Sequence, residues 1–197
     1  MREKYEAYNK AFMVLDNESW QILKEKALRH YLDHREGQTK QGFFNQLNEA
    51  FAYQYLVNIK GVKDIQLLKE GKSKTPDIKF IVNNNPLYCE VKTLNISDDE
   101  IKHRETFSVG DSSIYENLSN GFLNKFKNAV ESALEQINVC GANGLVCVLI
   151  ISDDLTYENY PNYKKQLIEF SDKNGFSNLF IKVGLLENRE ICIKIEW

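Results

Sequence analysis

The chain has 197 residues, 43% hydrophobic and 27% charged, proportions that exclude disordered, collagen-like and coiled-coil classes. That length suits one compact domain, or one domain with a short appendage. Lys and Arg number 25 against 28 Asp and Glu, a net charge of -3, so no global basic excess holds the chain to nucleic acid by charge alone.

Tyr5, Tyr8, Phe12 and Leu15 recur at helical spacing. Asp16 or Asn17 can then cap a second helix bearing Trp20, Leu23, Ala27 and Tyr31. Residues 1–36 therefore read as two helices. A third apolar stripe, Phe43, Leu47, Ala50, Phe51 and Leu56, predicts a helix over 41–58. The period then drops from about 3.6 to two, and strands are expected at 64–68, 78–82 and 87–93. Residues 94–117 are polar and weakly periodic, a long connection for a compact domain. Phe122, Phe126, Val130, Ala133, Leu134 and Ile137 mark a helix over 118–139, and the apolar run 144–151 reads as a buried strand. A helix near 161–173 and two strands near 178–186 and 190–196 close the chain. The implied fold is α/β, a mixed central sheet flanked by helices. Residues 1–40 form an N-terminal helical extension to an α/β domain over 41–197.

The four cysteines, Cys89, Cys140, Cys147 and Cys192, form no C-x-x-C pair and lie in or beside apolar runs. They read as buried thiols in a reducing compartment, not as a disulfide framework or zinc site. No apolar stretch follows the charged start, and the longest apolar run is too short to span a bilayer. A cytoplasmic protein without membrane association is expected. His30 and His34 have the i, i+4 spacing of helical zinc ligands, but without a third ligand they read as a surface helix.

The segment that carries chemistry runs from Thr75 to Lys92. If Asn83 to Pro86 form the turn, Val82 faces Leu87, Asp77 lies opposite Lys92, and Lys79 lies opposite Glu90. Ile78, Phe80, Val82, Leu87, Cys89 and Val91 then share an apolar face, while Asp77, Glu90 and Lys92 converge on the other. Two carboxylates suit a hard divalent cation such as Mg²⁺, which prefers oxygen ligands. An adjacent lysine can orient a water or stabilise growing negative charge.

Pro76-Asp77, twelve residues, then Glu90-Val91-Lys92 resembles the PD-(D/E)xK signature of the restriction-endonuclease-like nuclease superfamily. The order of helix, three strands, helix and strand over 41–151 resembles that superfamily's αβββαβ core. The C-terminal helix and β-hairpin lie outside it, as do the N-terminal helices. The resemblance implies a metal-dependent nuclease, endonuclease or exonuclease, hydrolysing phosphodiester bonds of DNA or RNA with Mg²⁺, or Mn²⁺ as its substitute. Asp77, Glu90 and the backbone carbonyl of Val91 would bind the metal. Glu49, at the matching place on the preceding helix, would act directly or through water, and Lys92 would activate the nucleophile. The family's Gln and Tyr four residues apart is incomplete here, since Gln136 is followed by Cys140, and it is not carried over.

Lys72 and Lys74 precede the Pro-Asp step, where they could touch phosphates or serve a solubilising loop. Charge is uneven: 15 Lys and Arg against 12 Asp and Glu up to residue 95, and 10 against 16 beyond it. The half with the candidate site is thus mildly basic. Nucleic acid is the implied partner, DNA first, with a second copy or another protein as further candidates. The alternative is a nuclease-like fold used as a binding or regulatory module, a subunit or inhibitor partner without activity.

Overall fold

In the computed structural model, six strands form one mixed sheet in the order β1-β2-β3-β4-β5-β6. The structure describes residues 2–32, 40–71, 75–95, 116–141, 143–151, 158–185 and 189–197. The helices are α1 (Arg2–Phe12), α2 (Asn17–Arg29), α3 (Gln41–Leu47), α4 (Glu49–Val57), α5 (Asn120–Val139) and α6 (Tyr160–Lys173). The strands are β1 (Val62–Leu67), β2 (Ile78–Val82), β3 (Asn85–Asn95), β4 (Gly144–Ile151), β5 (Leu179–Val183) and β6 (Glu190–Ile193). Strands β1, β2 and β3 pair antiparallel, β3–β4 and β4–β5 pair parallel, and β6 returns antiparallel to β5. The expected α/β class and mixed sheet are therefore present. Among the described residues no helix is long and apolar enough to cross a membrane.

Strand β4 shows why the sheet needs two covers. Leu145, Cys147 and Leu149 join one buried cluster, with Leu23, Phe51 and Leu56 of α2 and α4. Val146, Val148 and Ile150 join the other, with Phe126, Val130 and Ile137 of α5 and Leu167 of α6. Alternation along one apolar strand thus feeds both faces. The N-terminal helices pack into the first cluster through Ala11, Ile22 and Leu23.

Two local anchors fix α2. Asp16 is its N-cap, accepting from Ser19 N–H at 2.8 Å, and it also accepts from Tyr53 O–H of α4 at 2.8 Å. Ser19 Oγ accepts the Leu67 N–H of β1 at 3.2 Å. These bonds set the height and rotation of α2 against the sheet.

Three expectations need correction. The helix expected over 41–58 is interrupted at Asn48, whose buried side chain is committed to tertiary bonds. Its Nδ2 donates to Thr93 Oγ1 at 3.1 Å, and its Oδ1 accepts from Tyr8 O–H at 2.7 Å. Cys89 and Cys147 are buried, but Cys140 and Cys192 are exposed, one just after the C-terminus of α5 and one on the edge strand β6, opposite Phe180 and 3.3 Å from the Tyr55 hydroxyl. All four are free.

The third correction concerns the β2–β3 register. The turn is Asn83-Asn84, with φ of 51° and 65°, so Val82 pairs with Asn85, Phe80 with Leu87 and Ile78 with Cys89. Two left-handed residues give the tight hairpin turn whose twist matches its strands, and Asn tolerates that conformation. Lys79 consequently pairs with Tyr88 rather than Glu90, and Asp77 falls beside Glu90 rather than Lys92. The shift is two residues, so it leaves every side chain on its expected face. Ile78, Phe80, Val82 and Cys89 are buried together as expected.

Gly144 opens β4 opposite Tyr88, where a Cβ would collide with the Tyr88 carbonyl oxygen and stand 3.0 Å from Ile137 Cγ2 of α5. We expect Gly144→Ala to lower stability by about 1–3 kcal/mol, read from the midpoint of urea unfolding. An unchanged midpoint would contradict this close approach of β3, β4 and α5.

Candidate functional site

The β2–β3 ladder ends at Ile78–Cys89, while β3 continues to Asn95. A cavity of about 510 Å³ lies along that continuation. Polar side chains occupy the edge that β2 leaves. Asp77 Oδ2 accepts the Val91 N–H at 2.9 Å, and Asn95 Nδ2 donates to Asn45 Oδ1 of α3 at 3.1 Å. The Asn95–Asn45 bond and the Asn48–Thr93 bond dock the α3–α4 segment on β3.

Glu49, Asp77, Glu90, Val91 and Lys92 all line this one cavity. Glu49 comes from the start of α4, Asp77 from the residue before β2, and the other three from consecutive positions of β3. Lys92 Nζ donates to Glu90 Oε1 at 2.7 Å and to Gln136 Oε1 of α5 at 2.7 Å. The expected cross-strand pair of Asp77 with Lys92 is replaced by this pair within β3, a direct consequence of the two-residue register shift. Lys72, Lys74 and His34 lie outside the described residues, as do His103 and Arg104 of the long polar segment 94–117, which could contact nucleic acid or be solvated.

The residue that sequence reasoning missed is Lys26 of α2. Its side chain is 1% exposed, and its Nζ lies 2.6 Å from Glu49 Oε1 and 3.0 Å from Asp77 Oδ1. The signal was available, because Lys26 stands three residues after Leu23 and one before Ala27, inside the apolar stripe of its helix. Lys26 lies behind the cavity wall, whereas Gln46 of α3, also missed, and Gln136 of α5 line the cavity itself. At the rim, Glu70 pairs with Arg29 and His30, each at 3.6 Å.

Burial sets the electrostatics. The Glu49 and Glu90 side chains are each 4% exposed. Desolvation, reinforced by the nearby Asp77 charge, pushes Glu49 well above the usual carboxylate range against the pull of Lys26. The same two causes raise Glu90 to about 7, with Lys92 opposing. Burial alone would lower the Lys26 ammonium, but the charges of Glu49 and Asp77 outweigh it and hold the group protonated.

Three buried oxygens of this cavity carry no hydrogen-bond partner among the described residues: Gln46 Oε1, Glu49 Oε2 and Glu90 Oε2. An orphaned buried acceptor is costly, and hard oxygen donors of this kind on three residues that line one cavity are of the chemistry that Mg²⁺ or Mn²⁺ prefers. Among the described residues no three His, Cys, Asp or Glu side chains are grouped to hold a metal by themselves. Mg²⁺ does not require such a cage, since it commonly keeps waters and uses one or two carboxylates plus substrate oxygens. The chain matches no protein-family model, no curated protein and no solved structure.

The raised Glu90 gives a pH test. Its ordinary value is 4.5 and its folded value about 7, so between these the folded state holds more protons than the unfolded state. Its contribution to stability is full below 4.5, falls as pH rises through about 7, and is lost above it. Glu90→Gln removes this titration. In chelator-treated protein, the loss of unfolding free energy between pH 5 and pH 8 should shrink by about 1–3 kcal/mol in the variant. An unchanged loss would mean that Glu90 is ionised across the whole range.

Proposed function

We propose that the protein is a metal-dependent phosphodiesterase acting on DNA or RNA, with a restriction-endonuclease-like core over 41–151. The observation that carries this reading is the convergence of Glu49, Asp77, Glu90 and Lys92 on one cavity with the unpartnered buried oxygens of Glu49, Glu90 and Gln46. The order of elements supports it: a helical segment, three antiparallel strands, a crossover helix and a parallel strand. So does the spacing of Pro76-Asp77 from Glu90-Val91-Lys92.

In this reading Glu90, Glu49 and Gln46 would hold the ion, with Asp77 and the Val91 carbonyl as the further ligands that the family resemblance implies. A bound Mg²⁺ lowers the pKa of water and neutralises charge building on the phosphoryl oxygens. The protein's own groups supply the rest. Asp77 holds the Val91 N–H and so fixes the strand from which Glu90 and Lys92 project. Lys92 is 24% exposed, open enough to meet a phosphate, and Gln136 and Glu90 hold its ammonium in place from two sides. A fixed cation there stabilises negative charge as it develops and costs little reorganisation. Lys72 and Lys74 are the candidates for phosphate contact beyond the cavity.

The protein with Mg²⁺ or Mn²⁺ should cleave single- or double-stranded DNA or RNA, and EDTA should stop it. Lys92→Ala should lower the rate at least about 100-fold, while Glu90→Ala and Asp77→Ala abolish it, with each variant still unfolding cooperatively. If the wild-type chain leaves all four substrates intact with either ion, this function is wrong.

A further inference from the structure

We infer that the Lys26 ammonium is a built-in cation of this site, standing where a second divalent ion would have to stand, so that the cavity takes one divalent ion rather than two. This rests on the metal-dependent reading above. The geometry assigns the oxygens in two groups. Glu49 Oε1 and Asp77 Oδ1 are taken by Lys26 at 2.6 and 3.0 Å, and Asp77 Oδ2 is engaged by the Val91 N–H. The oxygens left over are Glu49 Oε2, Glu90 Oε2 and Gln46 Oε1. One group is already served by a cation; the other is one ion's worth of ligands.

Two-metal phosphodiesterase sites hold their ions roughly 3.5–4 Å apart, bridged by shared carboxylates. Glu49 has the chemistry of such a bridge: one oxygen holds Lys26 at 2.6 Å and the other has no partner among the described residues. Here the first position is filled by an ammonium on a buried stem that chelation cannot remove. Charge leads to the same count. Glu49, Asp77 and Glu90 bring three negative charges when ionised, and Lys26 and Lys92 bring two positive ones. A single divalent ion then leaves a small positive excess that suits a phosphate diester, whereas a second would pile positive charge against a buried lysine.

Lys26 meets no substrate in this arrangement, so it is a positioning residue, and counting ions tests it where activity alone would not. Mn²⁺ titrated into the full chain, with free ion followed by electron paramagnetic resonance, should show one bound ion per chain in the wild type and two in Lys26→Ala. Lys26→Arg, which keeps a cation, should hold the count at one. Two ions in the wild type would overturn the inference and leave the metal-dependent function standing. One ion in a Lys26→Ala variant that still unfolds cooperatively would overturn it too. No ion in any form would remove the metal-dependent reading itself. The wild-type count is decisive against the inference even if Lys26→Ala fails to fold.

Discussion

Lys26 between Glu49 and Asp77 is the interaction on which the site's geometry depends. It joins three elements far apart in the chain: the last turn of α2, the start of α4 and the approach to β2. Removing one partner from a buried ion cluster costs about 3–5 kcal/mol, because a charge is then left without compensation. The cluster nevertheless adds little net stability over apolar packing, since desolvation offsets most of the attraction. Its effect is on placement: α2 can satisfy Lys26 only at the rotation that Asp16 and Ser19 independently impose.

That dependence alters the standing of the N-terminal helices. Counted by element order, they precede the expected core. By packing, Ala11, Ile22 and Leu23 belong to the same cluster as Phe80, Cys89 and Leu145 of the sheet, and α2 brings a cation to two of the acids that line the cavity. Tyr8 reaches Asn48, which in turn holds Thr93 of β3, so α1 also supports the strand that bears Glu90 and Lys92. The local bonds of these helices and the polar wall of the cavity form one connected network.

The sequence made the elements legible because their signals are local: period two in β2 and β3, period 3.6 in α5, an apolar run in β4. The faces of the hairpin were legible for the same reason. Its register was not, since a period-two pattern is unchanged by a two-residue shift, and only the left-handed conformation of Asn83 and Asn84 decides between the alternatives. The break at Asn48 was hidden because its cause is a pair of tertiary bonds rather than a helix-breaking residue. Asp77, Glu90 and Lys92 could be named because a spacing pointed to them, and Glu49 because it is a carboxylate among apolar residues on the preceding helix. Gln46 could not, because its place at the cavity becomes visible only once the helices lie against the sheet; Lys26 did leave a trace, a cation inside an apolar stripe, but its two acidic partners lie far off in sequence.

Strand β3 explains how a buried acidic site can open at all in so tightly paired a sheet. On one edge it is parallel to β4 along its length, from Tyr88 to Asn95, and that ladder holds it straight. On the other edge its ladder stops at Cys89. Backbone groups beyond that point need other partners, and the Asp77 carboxylate supplies one for Val91. The carboxylate that caps this free edge is thereby drawn beside Glu90, where two like charges in a desolvated place demand a cation. The acids are close because the edge must be capped, and cations are needed because the acids are close. A chain with net charge -3 can therefore present a locally balanced cluster, in which Lys26 and Lys92 offset the neighbouring acids whatever the field of the whole molecule.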